Sequence, residues 1–228
     1  MRAPITSQAF LAKLPLFKEL TPEEIDRIAA GTRQVHAARG EVLFQKGDPC
    51  VGFHVVMFGQ VKLAFTAPSG QEKVLELMGP GQSFGEAVMF ADKPYVVYAQ
   101  ALCDTLLLHI SKAVVFEELE REPLLARRII SGLSQRLHHM VIDLESFTLS
   151  SATQRLIGYL LRDVPENAGE ESLAVALPST KTVLASRLNI TPQHFSRILH
   201  DLTVADLVRV EGRSIVILDA EGLRAYEP

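Results

Sequence analysis

With 228 residues, 47% hydrophobic and 22% charged, the chain is sized for two modest domains with real cores, which excludes intrinsic disorder and collagen-like repeats. A net charge of −4 argues against indiscriminate coating of nucleic acid, although a local basic patch is enough to meet phosphates. Two cysteines, Cys50 and Cys103, cannot build a disulfide framework or a four-thiolate cluster, no apolar run reaches the roughly 18 to 20 residues of a membrane span, and the start MRAPITSQAF lacks a secretory apolar region, so a cytoplasmic protein without a membrane partner is expected.

Residues 11–35 read as short helices, with Thr21 as N-cap, Pro22 in the first turn and Glu23 and Glu24 at the positive end of the dipole. From Arg39 to about Leu108 short β-rich segments alternate with glycine: Glu41 to Gln45, Phe53 to Phe58, Gln60 to Phe65, Lys73 to Met78, Tyr95 to Ala101 and Thr105 to Ile110. This pattern predicts an antiparallel barrel or sandwich, and a barrel is expected in the N-terminal half. After Pro123, Ile130, Leu133, Leu137, Met140, Leu144 and Phe147 recur at alternating spacings of three and four, an a/d seam over about three heptads. The seam suits a parallel dimer helix; a helix packed on its own barrel is the alternative.

A second compact unit begins near residue 151. Thr182 to Leu188 reads as a short helix, Asn189-Ile190 as a sharp turn and Pro192 to Leu202 as a second helix. Ala185 permits close approach of the two helices, and asparagine tolerates the left-handed backbone of a tight turn. Together these residues match helix-turn-helix geometry, in which the second helix enters the major groove. Its exposed positions are Gln193, His194, Ser196 and Arg197; arginine can donate two bonds to guanine, glutamine can pair with adenine, and serine suits either. Thr191 N-caps this helix, and Thr180, Lys181 and Thr182 open the preceding one, where backbone amides can meet a phosphate. Val208 to Val210, Glu211-Gly212 and Ser214 to Leu218 then read as a hairpin whose wing carries Arg213. The expected architecture is α+β: a β-barrel domain with N-terminal helices at 1–122, a dimerisation helix at 123–150 and a winged helix-turn-helix at 151–228.

From about residue 15 to the C-terminus the chain resembles the Crp/Fnr superfamily of transcription regulators. The resemblance is carried by Gly40-Glu41-Val42-Leu43-Phe44 with Gly47-Asp48, Gly59-Gln60-Val61-Lys62-Leu63, Phe84-Gly85-Glu86, the long helix, and Ser196-Arg197-Ile198-Leu199 before Leu202 and Leu207-Val208. It implies a cyclic-nucleotide-binding-like sensor barrel and a homodimer that binds a pseudo-palindromic double-stranded DNA site and contacts RNA polymerase. A cAMP-responsive member would carry Arg-Ser or Arg-Thr shortly after Gly-Glu; Tyr95-Val96 stands here, so cAMP is not expected. An iron-sulfur member would carry N-terminal cysteines; residues 1–49 contain none, so no iron-sulfur cluster is expected.

Within the superfamily the chain is similar to the Dnr-type branch, regulators of denitrification that sense nitric oxide through haem. Gly70-Gln71-Glu72-Lys73, Phe84 through Phe90, Asp92-Lys93-Pro94-Tyr95, Arg136-Leu137-His138 and Leu149 through Arg155 carry that similarity. Gln193-His194-Phe195-Ser196-Arg197 departs from the related Glu-x-x-Ser-Arg pattern at Gln193. The branch implies haem as cofactor, with His36, His54, His109, His138 and His139 as candidate axial ligands and His138 preferred. Phe84, Glu86, Val88, Met89, Phe90, Tyr95 and Val97 are the expected effector-pocket residues, with barrel core as the alternative for the apolar ones. A regulator answering another small molecule or a cyclic nucleotide is the competing function. The chain is not expected to be an enzyme: it contains no P-loop or His-Glu-x-x-His.

Overall fold

The computed structural model describes residues 6–14, 17, 20–67, 70, 72–122, 124–127, 130–135, 137, 138, 141, 151–162, 164, 173–176, 180–212 and 214–226. The chain forms two compact units, residues 1–138 and 139–228. No helix among the described residues is long and apolar enough to cross a membrane.

In the first unit, α1 (Ser7–Leu11) and α2 (Pro22–Ala30) precede the strands. Thr21 and Glu24 close a capping box on α2, the Thr21 hydroxyl accepting from the Glu24 amide at 3.3 Å and the Glu24 carboxylate from the Thr21 amide at 2.6 Å. The helical reading of residues 32–35 is corrected: α2 stops at its C-cap Gly31, and Thr32–Ala37 is strand β1. Local propensity loses there because β1 pairs along its full length with β8 (Thr105–Ser111), from Thr32 opposite Ile110 to Ala37 opposite Thr105.

The remaining strands are β2 (Val42–Phe44), β3 (Gly52–Phe58), β4 (Val61–Thr66), β5 (Glu72–Met78), β6 (Ser83–Phe84) and β7 (Tyr98–Ala101). The predicted barrel is realised as two four-stranded antiparallel sheets, ordered β1-β8-β3-β6 and β2-β7-β4-β5. Phe44, Val61, Leu63 and Met78 of one sheet meet Val56, Phe84 and Leu107 of the other in a shared core. Phe53, Val55, Leu108 and Ile110 alternate with these and face a second core, built with Leu11, Ile25, Ile28 and Val115 from the helices. Burial on both faces explains why Phe53 to Val56 reads as a nearly unbroken apolar run.

The helices α3 (Glu86–Phe90) and α4 (Lys112–Arg121) complete this unit. On α4 the carboxylate of Glu118, 2% exposed, accepts from Arg27 at 2.8 and 2.9 Å and from Arg121 at 3.2 Å, which ties α2 to α4 with a paired buried charge. The following residues 124–127, 130–135, 137, 138 and 141 are helical. Here the expected seam divides. Leu133, like Leu125, packs on the helix-side core, whereas Ile130 and Leu137 are 62% and 63% exposed. Met140, Leu144 and Phe147 lie outside the described residues.

The second unit contains α5 (Ala152–Leu161), α6 (Lys181–Arg187), α7 (Pro192–Val204) and α8 (Ala220–Ala225). Its sheet has the order β10-β11-β9, from β10 (Val208–Glu211), β11 (Ser214–Ile217) and β9 (Leu173–Ala176). Strand β9 was not legible as such, since Leu-Ala-Val-Ala carries no turn signal and acquires its role only by pairing with β11. Leu156, Leu160, Leu184, Phe195, Ile198, Leu202 and Ile215 fill the core between these elements.

Candidate effector pocket and DNA interface

The expected pocket residues of the sensor unit fall into two cores. Phe84, Tyr95, Val88 and Val97 belong to the inter-sheet core, whereas Met89 and Phe90 pack on the helix side. Glu86 is buried at the start of α3 and its carboxylate accepts a bond from the Ser83 hydroxyl. Gly85, with φ +99°, supplies the left-handed turn into α3 that a side-chain-bearing residue would resist.

Tyr95 fills the space between the sheets. Its ring stacks on Phe44 with centroids 3.5 Å apart, and its hydroxyl donates to the Gly52 carbonyl at 3.2 Å. The backbone of Tyr95 bonds to Gly47 and Asp48 rather than to a strand, so the segment expected as strand from Tyr95 begins to pair only at Tyr98. Burial, reinforced by the Cys50 thiol, raises the phenol above its ordinary value and keeps it a neutral donor.

Beside this stack lie two histidines brought together by the register of β3 and β8. His54 Nε2 and His109 Nδ1 are 3.3 Å apart, and the His54 ring stacks on Phe84 at 5.2 Å. A Cβ on Gly52 would come within 2.7 Å of the His109 ring and 2.2 Å of the Ile110 carbonyl, so only glycine admits this packing. The Nδ1 of His54 is buried without a hydrogen-bond partner. Burial first, then the proximity of His109 and Arg33, pushes the His54 pKa down to about 3. Burial and Arg33 lower His109 as well. By contrast His36 and His138 are exposed, and His139 lies outside the described residues.

The unfolded chain therefore takes a proton at His54 near pH 6.5, while the folded one resists until about pH 3, so stability rises with pH across that window. Stability should fall as the pH drops below 6.5 by up to about 1.4 kcal/mol per pH unit from this group. Urea unfolding between pH 7 and 4.5 measures the slope, and His54→Phe should remove about one proton of it. An identical slope in the variant would show that His54 is not the titrating group.

In the second unit, Leu184 and Ala185 of α6 and Phe195 and Leu202 of α7 are fully buried in one shared core. Asn189 adopts φ +58° at the turn, the left-handed conformation that asparagine accepts at low cost. Thr191 then caps α7, its hydroxyl accepting from the His194 amide at 3.2 Å, with Pro192 at the first turn. The side of α7 away from Phe195, Ile198 and Leu199 presents Gln193, Ser196 and Arg197 to solvent, while His194 is half-buried. Thr180 caps α6 through the Val183 amide at 3.4 Å, and Lys181 and Thr182 follow it, exposed. Arg213 lies outside the described residues.

In this unit sequence reasoning missed the contact that Arg155 makes. Arg155 of α5 donates from Nε to the Leu188 carbonyl at 2.9 Å and from Nη2 to the Asn189 carbonyl at 3.4 Å. Neither its position in an amphipathic helix nor its residue type distinguishes it from a solvated arginine; the pairing exists only in three dimensions.

Comparison with known proteins bears on both units. Residues 34–122 match the cyclic nucleotide-binding domain family, and residues 154–226 match the Crp-like helix-turn-helix domain. A solved protein from Ruegeria pomeroyi described as cyclic nucleotide binding is 30% identical, with 97% of this chain and 96% of that one covered and a TM-score of 0.68. The solved DNR of Pseudomonas aeruginosa is 34% identical over 100% of both chains, with a TM-score of 0.54. The Cyclic AMP receptor protein of Thermus thermophilus is 29% identical over 213 residues, 90% of this chain and 93% of its own. A ligand-binding β domain joined to a Crp-like helix-turn-helix defines a transcription regulator with an effector-binding sensor. The chain belongs to the Crp/Fnr family.

Proposed function

We propose that this regulator acts as a homodimer that reads a pseudo-palindromic DNA site with Gln193, Ser196 and Arg197 of each protomer and presents its bound state to RNA polymerase. The observation that carries this reading is the exposed row on α7, a capped helix whose other face is locked into the core by Phe195, Ile198, Leu199 and Leu202. Two such helices must reach a spacing of about 34 Å, one turn of DNA, to engage both half-sites. Lys181, Thr182 and Arg213 take the backbone-positioning role, which fixes register without carrying sequence information. The exposed Ile130 and Leu137 supply part of the dimer contact, together with Met140, Leu144 and Phe147 of the same seam, since large apolar seam residues are otherwise left to water. Selection of duplexes from a randomised pool tests the reading: enrichment of a two-fold symmetric site is expected, and retention without any sequence enrichment would overturn it.

For the effector, the reading extends to haem, with nitric oxide favouring the DNA-bound state. Haem bound in the sensor unit would supply an iron centre for nitric oxide. The donor chemistry here fits such a group: His54 is a buried imidazole held neutral, with an Nδ1 that has no partner, and aromatic surfaces surround it. His138, the ligand preferred on the resemblance, is exposed and remains the other candidate. Similarity to the DNR of Pseudomonas aeruginosa along the whole chain supports the branch. The relatives named for cyclic AMP favour a different effector, but Tyr95 and Val96 leave no guanidinium at the positions where the resemblance calls for one, and Tyr95 is already stacked on Phe44.

The expected results are stoichiometric haem uptake with a Soret band that His138→Ala or His54→Ala displaces, tighter operator binding with nitric oxide, and no saturable cAMP binding at micromolar concentration. Micromolar cAMP binding by calorimetry would replace this effector with a cyclic nucleotide. Failure to take up haem, or operator affinity indifferent to nitric oxide, would remove haem from the account and leave the DNA-reading function standing.

A further inference from the structure

We propose that Arg155 is a positioning residue for the recognition helix: its guanidinium grips the turn between α6 and α7 and so sets the angle at which Gln193, Ser196 and Arg197 meet the base edges. The inference rests on the DNA-reading function proposed above. Within the turn, the amides of Leu188, Asn189 and Ile190 are satisfied by the carbonyls of Leu184, Ser186 and Ala185 at 2.9, 3.2 and 3.0 Å. The carbonyls of Leu188 and Asn189 are the groups that Arg155 takes, at 2.9 Å from Nε and 3.4 Å from Nη2.

Three features make this contact more than a surface bond. The left-handed Asn189, with φ +58°, marks the point where the chain changes direction, and only Ile190 separates it from Thr191, the cap of α7. The turn also follows the C-terminus of α6, where aligned carbonyls concentrate negative potential and a cation is favoured. Finally, Arg155 stands on a rigid base. Its helix is fixed at the N-terminus by a capping box, Ser151 accepting from Gln154 at 3.1 Å and Gln154 from Ser151 at 2.8 Å, and its Leu156, Ile157 and Leu160 are buried in the core that holds α7. A planar fork reaching two successive carbonyls fixes both distance and tilt of the turn; an ammonium can hold only one of them in a set direction. A small rotation of α7 about that turn displaces the whole reading row, whereas attraction to phosphates tolerates it, because the former depends on directional bonds and the latter on charge.

The test uses the full-length protein, a duplex enriched by the wild type from a randomised pool, and a scrambled duplex of equal length. Arg155→Met keeps the length of the side chain and removes its donors. It should weaken binding to the enriched duplex at least tenfold, change affinity for the scrambled duplex at low salt less than twofold, and leave the salt dependence as it was. Arg155→Lys should fall between, with its loss again confined to the enriched duplex. Equal losses on both duplexes with a shallower salt dependence would make Arg155 a phosphate contact and overturn the proposal, as would unchanged affinity for the enriched duplex. If Arg155→Met lacks a cooperative unfolding transition, Arg155→Lys alone decides by the same criteria. A wild type that enriches no sequence overturns the DNA-reading function, and this proposal with it.

Discussion

Replacing Arg197 by alanine should weaken binding to the selected operator by about 1 to 3 kcal/mol and relax discrimination at one guanine in each half-site. The side chain is exposed on α7, one helical turn after Gln193, so both project from the face opposite Phe195 and Ile198. A guanidinium there can satisfy O6 and N7 of guanine together, and truncation leaves both acceptors without a donor. Because base contacts carry the specificity, the loss should be much smaller on a scrambled duplex at the same salt. Gln193→Glu should act differently, shifting the base preferred nearby, since it exchanges an amide that both donates and accepts for a carboxylate that only accepts. Base preferences measured across a single-substitution operator set would settle this. An Arg197→Ala protein with unchanged affinity and unchanged preference would show that α7 does not read the groove through this residue.

Leu137→Asp should yield a monomer at concentrations where the wild type is a dimer. Ile130 and Leu137 are seam residues seven apart, both exposed, and burial of that face against a second copy would force the new carboxylate out of water. The monomer presents one reading helix, so the linked second half-site contact is lost, a penalty of about 10² to 10⁴ in apparent operator affinity. Leu133→Asp is the informative companion. Leu133 packs on the sensor unit's own core with Leu125, so its replacement should lower the unfolding temperature of that unit before it affects association. Sedimentation and thermal unfolding of the two variants separate these outcomes. A Leu137→Asp protein that remains dimeric would place the dimer contact elsewhere.

These two leucines also show where sequence reasoning reaches its limit. Periodicity identified a helix with an apolar seam after Pro123, because spacings of three and four report which residues share a face. It could not report what that face touches, and the structure turns Leu133 toward its own domain while Leu137 remains exposed. The same limit explains β1, where residues 32–35 follow a well-capped helix and are strand only because β8 supplies their bonds.

The helix-turn-helix was legible in detail because its signals are local: Thr191 and Pro192 start a helix, Asn189 permits a left-handed turn, and Ala185 allows two helices to approach. Caps, turn residues and helical spacing act within a few positions of the chain, so the sequence by itself determined the two-part architecture, the second helix of the motif and the exposure of Gln193, Ser196 and Arg197 on it, though not the half-buried position of His194. Only the tertiary structure decided that His54 meets His109, that Tyr95 stacks on Phe44, and that Arg155 grips the recognition turn. Each of those contacts joins residues more than thirty positions apart. Their geometry depends on strand register and helix packing, which follow from burial summed over a whole core rather than from any local preference.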